Sequence, residues 1–390
     1  MKNLIISSNM LIPFGNCIGL NSSKGHTFSS IKLSPDGRLY AVATEKWIQI
    51  WSAGPEILLL CQSKLQNTDL NQDEPFQQVQ LVWKYDSLQL AAISNNGIIN
   101  IFNIDYEDCY YEKEDAYPSI AYLPSCKMGI TVVRNLSEFG YPLSSCSLEK
   151  GFVIGTSTGN LVEVEWNGIS RGYPIVAPIM IYLPELAKDL SRTCQIHSVD
   201  YNSTLKVISI VIDSGSCILF HITYTNRINF TGGFIVNAEH CVCACMGSFS
   251  HLLAIAHESG EISIHRLSWV NDSLMPRPEY HFNIHRYDDL YPPPIDNYHT
   301  QITCLAWNWE NDHLAVGYAD RCLAVWNLQE NPIFWYSWKH HDSSIQIQSC
   351  CFSAMGDCIL FNGGYVEKTT ISNTLLTQQF LITKPTQICK

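Results

Sequence analysis

Gly155 and Gly159, with Thr156, Ser157 and Thr158 between them, open the stretch GFVIGTSTGNLVEVEWNG (151–168) in the manner of a phosphate-binding loop. Such a loop needs a Lys followed by Ser or Thr at the start of a helix, so that backbone N–H groups and an ammonium face the anion. No Lys follows Gly159; Leu161, Val162, Val164 and Trp166 follow instead, a β-branched and aromatic run that reads as a strand. An apolar strand, a small polar turn closing on Gly and a second apolar strand are the pattern of a β-hairpin.

The sulfur and imidazole groups are weighed the same way. In CVCACM, Cys241, Cys243 and Cys245 alternate, which on a regular strand sends all three to one face beside His240. A zinc site needs a fourth ligand and usually a C-x2-C spacing on a loop, so core packing is the better reading. The 16 cysteines, with no signal peptide, read as reduced, mostly buried thiols. H-E-x-x-H does not occur; the two G-x-S-x-G matches, 155–159 and 168–172, lie in and after the hairpin pattern rather than on a strand-to-helix elbow, and His257-Glu258 falls where a polar turn is expected. Asp213, Glu258 and Asp320 read as residues that order turns. No catalytic residue, cofactor site or metal site is assigned, and the expectation is a protein that is not an enzyme.

Composition bounds the partners. With 46% hydrophobic and 15% charged residues the chain of 390 residues is globular, and its net charge of -12 argues against nucleic acid. YPIVAPIMIYLPELA, starting at Tyr173, is too short and too rich in proline to span a membrane.

The elements that must position any site come from recurrence. RLYAVATEKWIQIWSA, QLAAISNNGIINIFNI, GFVIGTSTGNLVEVEW, VISIVIDSGSCILFHI, LLAIAHESGEISIHRL and HLAVGYADRCLAVWNL are six copies of one hairpin. Each ends near a bulky position: Trp51, Phe102, Val164, Phe220, His265 and Trp326. Most copies follow a short strand with its own turn, such as SSIKLSPDGRL, and several precede a further apolar run. Four short antiparallel strands per unit cannot bury two faces alone, so the copies must stack. The expectation is an all-β, WD40-like β-propeller of about seven four-stranded blades, the last weakly patterned. The blades are placed at 28–62, 76–105, 144–167, 195–224, 239–269, 300–338 and 345–383, with 1–15 as a possible closing strand.

Order and spacers carry a resemblance. Ile50-Trp51 followed by Pro55, then Trp83 with Asp86-Ser87, then Ser94 to Phe102, resemble the N-terminal propeller of the Ric-one family. These proteins are the propeller-bearing subunits of the Ric-one/Rgp-one Rab guanine-nucleotide exchange complex. IGTSTGNLVEVEWNGISRG looks like that family's third-blade hairpin and CLAWNWENDHLAVGYADRCLAVWNL like its sixth blade. The resemblance implies a cytoplasmic protein peripheral on Golgi membranes, without a transmembrane segment of its own. It implies an Rgp-type arrestin-like partner subunit and a Golgi Rab GTPase, whose GDP release serves retrograde endosome-to-Golgi traffic. Family members are longer, so this chain is expected to be an N-terminal part. The fold alone would equally suit a generic scaffold in a coat, tethering or ubiquitin-ligase assembly.

Two inserts, from Asn67 and from His285, exceed what a blade connection needs, and a further segment from Glu107 mixes acids with tyrosines. HRYDDLYPPPIDNYH combines Tyr287, Asp288, Asp289 and Tyr291 with Pro292, Pro293 and Pro294. Proline holds the backbone extended, so docking costs less entropy and the tyrosines offer contact area. These seven residues are the candidate partner contacts, against the plainer reading of a strap packed on its own propeller. NTDLNQDEPFQ from Asn67 reads as a solvated loop, and EDCYYEKEDAYPS from Glu107 as a second tyrosine-rich candidate.

Overall fold

A computed structural model describes residues 12–13, 18–19, 28–44, 46–53, 58–68, 78–107, 110–113, 119–122, 125–188, 194–224, 227–237, 240–247, 250–270, 273–283, 301–308, 310–319, 322–328, 333–339, 347, 349–352, 358–362 and 366–372. Six antiparallel sheets follow one another, each of four strands, a to d, neighbouring in chain order. Sheet A comprises Phe28–Leu33, Leu39–Thr44, Trp47–Ser52 and Leu59–Lys64. Sheet B comprises Val79–Trp83, Gln89–Ser94, Ile98–Glu107 and Ser125–Asn135. Sheet C comprises Pro142–Ser147, Gly151–Thr156, Asn160–Glu165 and Ser170–Pro174. Sheet D comprises Ile196–Asn202, Val207–Ile212, Cys217–Tyr224 and Ile228–Asn237. Sheet E comprises Cys241–Met246, Leu252–His257, Glu261–Val270 and Ser273–Asn283. Sheet F comprises Ile302–Trp307, His313–Tyr318, Cys322–Asn327 and Ile333–Lys339. A further sheet joins Ser349–Phe352, Cys358–Asn362 and Val366–Ser372, and the last of these pairs with Ile12–Pro13 and Ile18–Gly19. Sheets A to D form one compact unit, His26–Asn237; sheets E and F and the terminal sheet lie in the other, Met1–Gly25 with Ala238–Lys390.

Against an expectation of about seven blades, six four-stranded blades are found, and the terminal sheet draws strands from both ends of the sequence. The fourth strands of B, C, D and E run beyond residues 105, 167, 224 and 269, where the hairpin repeats end. In B, C and D those strands are half-exposed and mix polar with apolar residues, so they carry little pattern. Two short helices, α1 (Val176–Tyr182) and α2 (Pro184–Ala187), follow sheet C. Pro178 and Pro184 sit in first turns, where a missing N–H costs nothing.

The core forms between successive sheets. Strand b is buried along its whole length in A, C, D and E, on both faces. Leu39, Ala41 and Ile50 of A pack against Leu81, Leu90 and Phe102 of B. Ile99 and Ile101 of B meet Phe152, Val162 and Val164 of C, and Val153 and Leu161 of C meet Ile208, Ile218 and Phe220 of D. In the other unit Ile262 and Ile264 of E cover Leu314, Val316 and Trp326 of F. The six bulky repeat positions, Trp51, Phe102, Val164, Phe220, His265 and Trp326, are all buried and occupy one register, opposite Tyr40, Leu90, Phe152, Ile208, Leu253 and Leu314. Burying a side chain of this size stabilises by about 1.5–3 kcal/mol, which makes the interblade layers the main source of stability.

Polar groups repeat as well. At the end of strand b in A, B and C, the hydroxyls of Thr44, Ser94 and Thr156 accept from the N–H of Trp47, Ile98 and Asn160 at 2.9, 3.2 and 3.1 Å, and donate to the same residues' carbonyls. Between sheets, the Trp83 indole donates to the Lys32 carbonyl at 3.2 Å, and at the equivalent place the Trp307 indole donates to the Cys245 carbonyl at 3.0 Å. Asn100, fully buried, grips the backbone of Gln66 by both amide atoms, at 2.8 and 3.1 Å. In the a–b turns, one position takes a left-handed backbone whatever residue fills it: Gly37, Ser87 and Asn311, with φ of 75°, 62° and 57°. The Ser87 hydroxyl then accepts from the Asp36 N–H at 3.1 Å, tying the turn of B to that of A.

Removing one of the indole donors leaves a carbonyl short of its partner and trims a ring that is buried at Trp83 and partly buried at Trp307. Trp83→Phe and Trp307→Phe are each expected to destabilise by about 1–3 kcal/mol, read as a lower urea midpoint with unchanged slope.

Candidate interaction surfaces

The residues of the 155–159 turn are spent on structure. The Gly159 N–H bonds the Thr156 carbonyl at 3.2 Å and the Ser157 N–H bonds the Tyr141 carbonyl at 2.9 Å. The Thr158 hydroxyl bonds the Phe139 carbonyl. Gly159 has φ of 76°, and a Cβ there would stand 2.3 Å from the Cys194 carbonyl oxygen. The turn is a packed hairpin corner with the Ser157 and Gly159 N–H groups already bonded to carbonyls, as a hairpin reading requires.

CVCACM departs from expectation. A β-bulge separates Cys241, opposite His257, from Cys243, opposite Ala256, so Cys241 faces away from Cys243 and Cys245 instead of sharing their face. Burial pushes the Cys243 thiol up to about 12 and that of Cys194 to about 12, so both are inert at neutral pH. Among the described residues, no three His, Cys, Asp or Glu gather closely enough to hold a metal ion. His257 ends strand b of E and is buried, with its Nε2 2.8 Å from the Ser263 hydroxyl; His265 Nε2 lies 3.2 Å from the same oxygen. The hydroxyl can donate to one ring while the other donates its N–H to the same oxygen, which makes this a buried hydrogen-bond network.

Of the inserts, Tyr287, Asp288, Asp289, Tyr291, Pro292, Pro293 and Pro294 lie outside the described residues, as does most of the Asn67 segment. The Glu107 segment is placed in part: Tyr110–Lys113 pairs with Ser119–Tyr122 as a two-stranded hairpin between strands c and d of B. Strand c of B runs to Glu107 and strand d starts at Ser125, directly opposite, so these two strands themselves prolong the sheet past its a–b turn as a c–d hairpin. The Arg38 guanidinium sits 5.1 Å over the Tyr106 ring and links the extension to the a–b turn of A.

Antiparallel order puts a–b and c–d turns at one end of every sheet and b–c turns at the other. At the a–b end of A, B and C, four apolar side chains face solvent: Leu59, Tyr85, Leu88 and Ile169, with Tyr85 80% and Leu88 56% exposed. Turn tips are normally polar, and nothing in the packing explains these four. Tyr141 and, on α1, Met180 and Ile181 are exposed at the opposite end. Reasoning from sequence missed both groups; the signal available was Tyr85 and Leu88 flanking Asp86-Ser87, apolar residues where a turn was already assigned.

One buried charge joins C to D. Glu163, 1% exposed in strand c of C, accepts from the Tyr173 hydroxyl at 2.8 Å and from the Tyr224 hydroxyl of D. Burial, and then the bond to Glu163, push the Tyr173 phenol up to about 12.

Solved structures share this fold. The β-propeller domain of Cps50 (Swd1) from Myceliophteria thermophila superposes with a TM-score of 0.64 at 8% identity, over 91% of this chain and all of that one. Raptor from Chaetomium thermophilum gives 0.59 at 12% identity, over 93% of this chain and 30% of its own. Residues 246–348 match the family described as the anaphase-promoting complex subunit 4 WD40 domain. The chain is a WD40 β-propeller. At the level of sequence, this propeller is 24% identical over 271 residues to the guanine nucleotide exchange factor subunit R06F6.8 of Caenorhabditis elegans. That alignment covers 63% of the chain but only 18% of the relative's length.

The raised Tyr173 ionisation carries a sign. Because the folded value lies above the ordinary value near 10, the neutral phenol stabilises the fold fully below pH 10, and this contribution is lost as pH rises toward about 12. Melting temperature should therefore fall between about pH 10 and about pH 12, the window those two values span, and Tyr173→Phe should flatten that fall in thermal melts.

Proposed function

We propose that this propeller is part of a subunit of a guanine-nucleotide exchange complex acting on a Golgi Rab GTPase in retrograde endosome-to-Golgi traffic. The observation that carries the reading is the match to a named exchange-factor subunit, whose sequence aligns across most of the propeller. The order of the Ric-one-like elements from Ile50-Trp51 to Phe102 and again from Cys304 to Leu328 supports it. The terminal sheet counts as a seventh blade in this reading, with the N-terminal segment as its closing strand.

The chain works by contact rather than by covalent chemistry. An exchange factor favours the GTPase conformation that holds nucleotide poorly, so differential affinity is the whole mechanism. An Rgp-type arrestin-like subunit and the Rab are the partners, and membrane attachment comes through the assembly. No described helix is long and apolar enough to cross a membrane. The a–b end of sheets A to C, with Tyr85, Leu88, Leu59 and Ile169 beside the prolonged hairpin of B, is the surface assigned to the partner subunit. Tyr287 to Pro294 remain candidates for a second contact. The match of residues 246–348 to a WD40 domain of another complex favours, as a second reading, a propeller scaffold in a coat, tethering or ubiquitin-ligase assembly.

The test is reconstitution. The chain, mixed with the purified Rgp-type subunit and a Golgi Rab loaded with fluorescent GDP, is expected to bind the subunit, and the assembly to speed GDP release. Tyr85→Ser with Leu88→Ser should weaken binding at least about tenfold while leaving stability within about 0.5 kcal/mol, since both side chains are exposed. Binding that is unchanged in this variant moves the contact elsewhere; no binding to either partner, with capture by coat or ligase subunits instead, favours the scaffold.

A further inference from the structure

Strand d of a blade lies at the sheet edge, half-exposed, and two neighbouring edges carry the same reactive group. Cys61 on strand d of A and Cys126 on strand d of B are free, half-buried thiols whose Sγ atoms are 3.4 Å apart. They are 65 residues apart in sequence and belong to different sheets, so the contact exists only in the packed propeller. Each stands on a fixed strand, Cys61 opposite Ile50 and Cys126 opposite Tyr106. Cys126 is the second residue of strand d, within the c–d hairpin that prolongs sheet B. We infer that Cys61 and Cys126 form a redox site, a dithiol that closes to a reversible disulfide stapling the edge of sheet A to the base of the projecting hairpin of sheet B.

The chemistry needs one oxidant class, a small-molecule disulfide. The Cys61 thiolate attacks one sulfur of that disulfide, forming a mixed disulfide and expelling one thiolate. Cys126 gives its proton to solvent, attacks the Cys61 sulfur and expels the second thiol. Two protein thiols lose two electrons in total, and the small disulfide gains them as two thiols. The hydrogen bond between the two thiols favours a thiolate on one of the pair at the expense of the other, holding the Cys61 thiol below and the Cys126 thiol above the ordinary value. Cys61 is taken as the attacking group and Cys126 as the resolving one, an order that the Cys126→Ser variant tests. A second close pair, Cys304 and Cys350 at 3.6 Å between sheet F and the terminal sheet, differs in burial, since Cys350 is 4% exposed and an oxidant cannot reach it without unfolding.

The inference stands whether or not the exchange-factor reading holds. Its consequence is mechanical: oxidation pins the hairpin of B to sheet A, and reduction releases it. A crosslink that closes a loop of this length also removes freedom from the unfolded chain.

The experiment uses the whole 390-residue chain incubated with oxidised glutathione, digested with trypsin without reduction and read by mass spectrometry. Cleavage after Lys46 and Lys64 and after Lys113 and Lys127 isolates each cysteine in its own peptide, 47–64 and 114–127. The expected product is those two peptides joined, released by dithiothreitol, with a melting temperature raised by about 5 °C or more in the oxidised protein. Cys126→Ser should leave Cys61 capped by glutathione, with no rise in melting temperature. Glutathione stably attached to Cys61 in the unaltered chain, joining of either cysteine to a different one, or absence of reaction at both would each overturn the proposal.

Discussion

A strand buried on both faces has no side to give to water, and this constraint governs the molecule. LYAVAT, GFVIGT, VISIVI and LLAIAH are each buried from first residue to last. A four-stranded sheet built on such a strand is apolar above and below, so it is stable only when sandwiched between like sheets. Everything else follows from that stacking. The bulky residue of strand c fills the layer against the neighbouring sheet, and several polar groups of the layer are committed to partners: the indoles of Trp83 and Trp307, Asn100 on Gln66, and Glu163 between two phenols. Such pairing is what allows polar groups to lie in a dry layer at all.

Because faces are used up in stacking, only edges and turn ends remain for other work. The b–c turn of sheet C shows how tightly an end can be closed, with its backbone donors taken by its own residues and by Tyr141. The a–b end of A to C is different, since apolar side chains stand in solvent there and sheet B is prolonged beyond its neighbours. The edge between strands d of A and B holds the Cys61–Cys126 contact. Recognition is thus assigned to an end and chemical modification to an edge, while the apolar layers supply a rigid frame for both.

Much of this was legible in the sequence, for reasons of pattern. A strand that is apolar throughout, a turn ending in Gly and a second strand ending in a bulky residue recur because each sheet solves the same packing problem, and Trp51, Phe102, Phe220 and Trp326 could be placed in register from that alone. What pattern could not show was exposure. Tyr40 and Tyr85 are the same residue in neighbouring repeats, yet one is 1% and the other 80% exposed. His257 read as a turn residue and is a buried hydrogen-bonding one, because its position depends on Ser263 across the hairpin. The bulge that turns Cys241 from Cys243 adds a residue without any marker in CVCACM, and the fourth strands are too mixed in polarity to announce themselves. The candidate contact from Tyr287 to Pro294 falls outside the described residues, and the surface assigned instead comes from three-dimensional placement.

The central claim is that the a–b end of sheets A to C is where this propeller meets its partner subunit. Hydrogen–deuterium exchange of the chain with and without the purified Rgp-type subunit tests it most directly. The account predicts slowed exchange at 84–88, at 165–171 and along the foot of the sheet B hairpin, 103–107 and 125–128, with the b–c end unchanged. Protection confined to 139–141, 157–159 and 176–182, or no protection in the presence of a saturating partner, would contradict it.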